Sequence, residues 1–149
     1  ELKEEMKEYL TVQGMQIEDL GAFEFDPNDD YPDFVRPVAE KVALRLASLA
    51  QGENQTFGLV FGGSGQGEAI AANKIKGIRA ALYYGSNLDI VKLSKIHNDA
   101  NMLSLGARFL TEKQAIESVK LWLNTDFSNE ERHKRRVKQI SQIEEKICK

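Results

Sequence analysis

The stretch "FGGSGQGEAIAANK", Phe61 to Lys74, places four glycines within six residues, between an apolar run, "TFGLVF" (56–61), and an alanine-rich segment. A short buried strand, a glycine turn and a helix make the unit from which parallel α/β sheets are built. Consecutive backbone N–H groups at a helix start can cradle an anion. A tight turn that needs glycine only for positive φ gives the same pattern, and spacing alone leaves the two even. Glu68 stands three residues beyond Gly65, where a dinucleotide fingerprint has glycine. It also follows Gly67, where a Walker A loop has lysine. A carboxylate in the cradle repels a bare phosphate, so the loop suits a ligand with an exchangeable proton. Glu68 lies in the first helical turn, where the positive end of the helix dipole suits an ionised base. A glutamate placed there for the dipole alone is the common alternative.

Working outward, residues 2 to about 13 read as a helix with Leu2, Met6 and Leu10 on one face. Gly14 and a strand-like run, "MQIEDLG" (15–21), follow, and "DPNDDYPD" (26–33) is turn chemistry. A helix over about 33–50 carries Val35, Val38, Val42, Leu46 and Leu49 at helical spacing. Beyond the glycine loop come a helix (67–74), a strand in "GIRAALYY" (77–84), a helix in "SNLDIVKLSKIHND" (86–99) and a strand in "NMLSLGA" (101–107). A helix in "TEKQAIESVKLWL" (111–123) and a basic C-terminal helix complete the chain. Ser86 with Asp89, Thr111 with Gln114, and Ser128 with Glu131 have the spacing of capping boxes. Strands alternating with helices predict a doubly wound parallel sheet in a three-layer α/β/α arrangement. Ligands of such sheets bind beyond the carboxyl ends of the strands. The glycine loop, the Tyr83–Gly85 turn and the Gly106–Arg108 turn all lie there.

The 149 residues suit one domain over 1–149, with 42% hydrophobic and 29% charged residues, as in a soluble globular protein. A net charge of −3 gives no pull toward nucleic acid. The one cysteine, Cys148, excludes a disulfide framework and points to a reducing cytoplasm. No apolar run approaches the roughly 20 residues of a membrane span, and "ELKEEMKEYL" at the start is charged throughout.

On the C-terminal helix, Val137, Ile140, Ile143 and Ile147 define an apolar face. At 100° per residue Arg132, His133 and Arg136 fall on that same side. Buried guanidinium groups need an anion, and a phosphate between two arginines one turn apart supplies it. A solvated charge run is the ordinary reading of "RHKRR". His97 follows Ile90 and Leu93 along one face of its helix, which is expected to pack on the sheet, with Asn98 and Asp99 at a ligand-facing end. A lone histidine there is more often a satisfied core residue than a catalyst. No His, Cys, Asp or Glu spacing resembles a metal site, so no metal is expected.

Together "DYPDF" (30–34), "GGSGQGEAIAANKIKGIRAAL" (62–82), "HNDANMLSLGAR" (97–108) and "ERHKRR" (131–136) resemble the ribose-5-phosphate isomerase B family, which includes the galactose-6-phosphate isomerase subunits. The resemblance implies a Rossmann-like fold and no cofactor. It implies a homodimer or homotetramer with active sites between subunits, the C-terminal helix (about 128–148) packing on a partner. The implied reaction is aldose–ketose isomerisation of a sugar phosphate through an enediol, ribose 5-phosphate to ribulose 5-phosphate first among them. Glu68 would be the base moving the proton between C1 and C2. Many members carry a cysteine where this chain has Gly63; a second branch has "GGSG" followed by a glutamate, and this chain matches it. Ser64 and the N–H groups of Gly65 and Gly67 would stabilise the enediolate, with Gly63 in the same loop. His97, with Asn98 beside it, would assist ring opening. Arg108, Arg132 and Arg136 would bind the phosphate, with His133 nearby. Family members begin with a strand ending in a Ser-Asp-His-Ala-Gly-like stretch, whereas "ELKEEMKEYL" resembles the helix after it, so a sheet without its usual first strand is expected. Two other readings are a non-catalytic sugar-phosphate or nucleotide-binding module on the same scaffold, and RNA binding by the basic helix. Neither a membrane nor a nucleic acid is an expected partner.

Overall fold

The computed structural model describes residues 1–24, 26–48 and 55–147. In chain order these form α1 (Leu2–Val12), α2 (Tyr31–Ser48), β1 (Gly58–Gly62), α3 (Gln66–Ala72), β2 (Ala80–Tyr83), α4 (Asp89–Asn98), β3 (Met102–Gly106), α5 (Glu112–Leu123) and α6 (Glu131–Ile147). Among the described residues the sheet has three parallel strands in the order β1-β3-β2. The chain passes from β1 to the far edge and returns to the middle, which makes β3 the central strand.

Met102, Leu103, Ser104 and Leu105 of β3 are each 0% exposed, as a parallel strand covered on both faces must be. The two-residue strand period divides them. Leu103 and Leu105 pack with Met6, Leu10, Val91, Val119 and Trp122 of α1, α4 and α5. Met102 packs with Val60 of β1 and with Val35, Ala39, Val42 and Ala72 of α2 and α3. These two apolar clusters are the seams of a three-layer α/β/α arrangement, as the alternation of elements predicts.

Several local expectations change. The run 15–21 forms no strand. Its Asp19 is held by α1 instead, accepting from Lys3 Nζ at 3.1 Å and Lys7 Nζ at 2.7 Å, and from the Gly21 N–H at 3.0 Å. This tether occupies the segment that alternation alone would send to a sheet edge. The capping box of α5 forms through Thr111 and Gln114. That of α4 does not: Ser86 takes a φ of +74°, and the Asn87 side chain accepts the Asp89 N–H at 2.8 Å. The Ser128 hydroxyl likewise turns from Glu131 to other partners, the Glu130 N–H at 3.3 Å and the His133 ring. α2 starts at Tyr31 rather than 33, and Leu46 on it is exposed. Leu49, the expected helix end at 50, and Cys148 lie outside the described residues. Among the described residues no helix is long and apolar enough to cross a membrane.

The Asp19 tether is testable. Desolvation pushes its pKa up, but the bonds from Lys7, the Gly21 N–H and Lys3 outweigh that and hold it at about 2, against 3.8 ordinarily. A depressed carboxyl pKa stabilises the fold above about pH 4, and that share is lost as pH falls toward 2. Asp19→Asn is expected to cost about 1 kcal/mol at neutral pH, discounted for solvent screening. In denaturant melts the gap between parent and variant should close near pH 2; a constant gap across that range would remove the ion pairs as its cause.

Candidate active site

At the carboxyl ends of the strands the glycine loop is built by close approaches. The Ala107 N–H donates to Gly62 O at 2.8 Å and the Arg108 N–H to Gly63 O at 3.0 Å, locking the ends of β1 and β3 together. Gly65 caps α3 with a φ of +74°. A Cβ there would lie 2.8 Å from Leu82 Cδ1 and 3.0 Å from the Gly106 nitrogen, so only glycine fits. The buried Ser104 hydroxyl donates to Gly65 O at 2.6 Å, fixing the turn from the central strand.

The loop's other glycines admit functional side chains. A Cβ on Gly62 would overlap the Glu68 carboxyl group, which lies directly against that backbone. Glu68 is only 8% exposed, so it is no ordinary helix-start glutamate facing water. Beside Gly63, the place a Cβ would take is 3.1 Å from Arg108 Nε and Cζ, so the Arg108 side chain lies over the loop. At Gly67 the corresponding place is 2.6 Å from the Tyr31 hydroxyl. Tyr31 is a site-lining residue that sequence reasoning missed. Inside "DPNDDYPD" it reads as one more turn residue, and its approach to Gly67 is a tertiary contact. Ser64 Oγ accepts the Gln66 N–H at 3.4 Å. Within α3 the Ala69 N–H bonds Gly65 O at 3.0 Å. The N–H groups of Gly67 and Glu68 precede it and have no carbonyl within the helix to bond.

His97, Asn98, Arg132, His133 and Arg136 gather elsewhere. Arg79, immediately before β2, donates through Nε to Asn98 O at 2.8 Å and Asp99 O at 3.0 Å. That bond fixes the end of α4 at the amino ends of the strands. Five-residue strands separate the two ends by about 13 Å. Within one chain His97 and Asn98 therefore stand a strand's length from Glu68, at the amino ends of the strands rather than the carboxyl ends where a ligand is expected to lie.

The faces also differ from expectation. α4 buries Val91, Ser94 and Lys95, whereas Ile90 and Leu93 are exposed. His97 therefore points to the flank of the sheet, and α6 covers it there. The His133 ring, 2% exposed, lies 4.3 Å from the His97 ring between centroids, tilted by 44°. His133 Nδ1 pairs with Ser128 Oγ at 2.8 Å. Burial, followed by the positive charges of His97 and Arg132, pushes its pKa below the ordinary histidine value. Of the three residues expected to face inward, only His133 is buried. Arg132 and Arg136 are exposed, with Arg132 Nε on Glu130 Oε2 at 2.9 Å. The reason is that α6 leaves its apolar side open: Ile140, Ile143 and Ile147 are exposed too.

Residues 1–140 match the model of a family described as Ribose/Galactose Isomerase. The chain is similar to ribose-5-phosphate isomerase B of Mycobacterium leprae, at 36% identity over 97% of this chain and 83% of the relative. Among solved structures it is similar to ribose-5-phosphate isomerase B of Mycoplasma genitalium with bound ribulose-5-phosphate. The TM-score is 0.87 at 36% identity, covering 97% of this chain and 88% of the other. It is also similar to the Clostridium thermocellum enzyme of that name, with a TM-score of 0.86 at 38% identity, covering 97% and 90%. The three-layer fold, the glycine loop closed over a buried glutamate and a match running over nearly the whole length agree: the chain belongs to the ribose/galactose isomerase family.

Proposed function

We propose that this protein interconverts ribose 5-phosphate and ribulose 5-phosphate, with Glu68 as the base. The observation that carries the reading is the Glu68 carboxyl group, buried against the Gly62 backbone at the mouth of a loop lined by Ser64 and free N–H groups. A carboxylate held there removes the C2 proton of the open-chain aldose as the C1 carbonyl becomes an enediolate. It then returns a proton to C1 while the C2 hydroxyl proton passes to the C1 oxygen, leaving C2 as the ketone. The reaction is balanced within the sugar and calls for no co-reactant. Ser64 and the N–H groups of Gly65 and Gly67 offer hydrogen bonds to the enediolate oxygens, at the backbone of Gly63. Arg108, Arg132 and Arg136 hold the phosphate, and His97 with Asn98 opens the sugar ring.

The separation of these groups within one chain favours a site shared between two copies in a homodimer or a larger assembly. The loop, Glu68 and Arg108 come from one copy; His97, Asn98, Arg132 and Arg136 come from the other. An exposed apolar side on α6 suits packing against that second copy. A free sugar phosphate as substrate agrees with a cytoplasmic setting. The direct test is formation of ribulose 5-phosphate from ribose 5-phosphate by the purified protein. Binding of ribose 5-phosphate without turnover would favour the non-catalytic module instead.

A further inference from the structure

His133 is the one charge-capable residue of "RHKRR" that the fold buries. Three contacts around it converge on the end of α4. The Ser128 N–H donates to Ile96 O at 3.2 Å, tying the segment before α6 to the residue next to His97. The Ser128 hydroxyl, fixed by that bond, pairs with His133 Nδ1 at 2.8 Å and so sets the plane of the His133 ring. That ring packs on His97 with 4.3 Å between centroids. His97 is half-buried, and the ring that packs on it comes from α6, so its ring orientation depends on what α6 places over it.

The geometry points to His133 as a positioning residue for ring opening: Ser128 and His133 form a clamp that holds the His97 imidazole at the angle from which it exchanges protons with the sugar ring. This rests on the isomerase reading above. Burial keeps the His133 ring toward its neutral form. A neutral imidazole offers His97 a surface without a competing charge, which an arginine at that place would not. The pair is nonetheless adaptable, since a tilt of 44° is neither stacked nor edge-on. A small change in the clamp therefore turns His97 without unfolding α4.

The experiment separates ring opening from proton transfer. Ribose 5-phosphate is mainly a closed ring, and ribulose 5-phosphate, whose O5 carries the phosphate, is open. Turnover of the aldose needs His97 and Glu68, whereas exchange of the C1 hydrogen of ribulose 5-phosphate with deuterated water needs the Glu68 step alone. His133→Asn keeps a polar partner for Ser128 but removes the ring. It is expected to lower kcat on ribose 5-phosphate about tenfold or more, while C1 exchange in ribulose 5-phosphate stays within about twofold of the parent. Ser128→Ala, which keeps the ring and frees it, should show the same split at smaller size, and it decides the matter if His133→Asn does not fold. If turnover and exchange fall together in the folded variants, His133 is only structural; if neither moves, the clamp is irrelevant. Either result overturns the positioning role. A parent that neither turns over the aldose nor exchanges the ketose would instead remove the isomerase reading on which the clamp rests.

Discussion

Glu68→Gln is expected to lower kcat on ribose 5-phosphate by at least ~10²-fold while leaving the fold in place. The amide is nearly isosteric, so it fits the slot against Gly62 that the carboxyl group occupies. What it loses is the ability to take a proton from C2. Deuterium exchange at C1 of ribulose 5-phosphate should fall by the same factor, because both observations use the one base. Gly62→Ala attacks the same step from the other side. Its added methyl collides with the carboxyl group, so Glu68 must leave its place although its chemistry is unchanged. The two variants should agree in a large loss of kcat with unaltered melting for Glu68→Gln. Near-parental turnover in Glu68→Gln would reduce Glu68 to a helix-start residue and leave the base to be sought elsewhere in the loop.

The residues differ in how openly they advertise these roles. Glycines 62, 63, 65 and 67 declare themselves as a dense run between a strand and a helix, and the space beside them is filled by Glu68 at Gly62, Arg108 at Gly63, Leu82 at Gly65 and Tyr31 at Gly67. The alternation of elements gives the layers, and Thr111 with Gln114 marks the start of α5 correctly because that box is closed by local atoms. The face of α4 does not declare itself. Its buried stripe contains Ser94 and Lys95, residues that hydropathy assigns to water. Ser94 Oγ accepts from Trp122 Nε1 at 3.2 Å, and Lys95 Nζ lies 4.3 Å from the Phe57 ring centroid. Both satisfactions come from other elements, so the helix's own pattern points to Ile90 and Leu93, which are exposed. Similarly, periodicity finds the apolar side of α6 but says nothing of what covers it. The pairing of His97 with His133 joins residues on separate helices, beyond the reach of any local pattern. The distance between His97 and Glu68 has the same origin: both lie near element ends, and only the direction of each helix tells which end of the sheet that is.

That distance leads to a test whose two arms differ sharply. Arg132→Ala combined with Arg136→Ala should bind the sugar phosphate at least ~10²-fold more weakly, two charge-assisted contacts being lost at about 2 kcal/mol each. Both side chains are exposed in the single chain, so the fold should not suffer. Glu68→Gln is inactive for a different reason. If each site takes its base from one copy and its phosphate clamp from the other, the two inactive variants complement each other. In a mixed pair, one site receives both defects and the other receives neither. Random pairing makes half of the dimers mixed, and half of their sites intact, so coexpression should restore roughly a quarter of parental kcat. The same fraction holds for a tetramer built from such pairs. If base and clamp served the same site within one copy, every site would keep one defect and mixing would restore nothing. Activity no greater than the average of the separate variants, with mixed dimers verified by a tag on one chain, would therefore confine each site to a single chain. Recovery near a quarter requires that the roughly 13 Å between the loop and the end of α4 be bridged from outside. It would also give the exposed isoleucines of α6 their partner, since the helix that delivers Arg132 and Arg136 to a second copy carries Ile140, Ile143 and Ile147 with it.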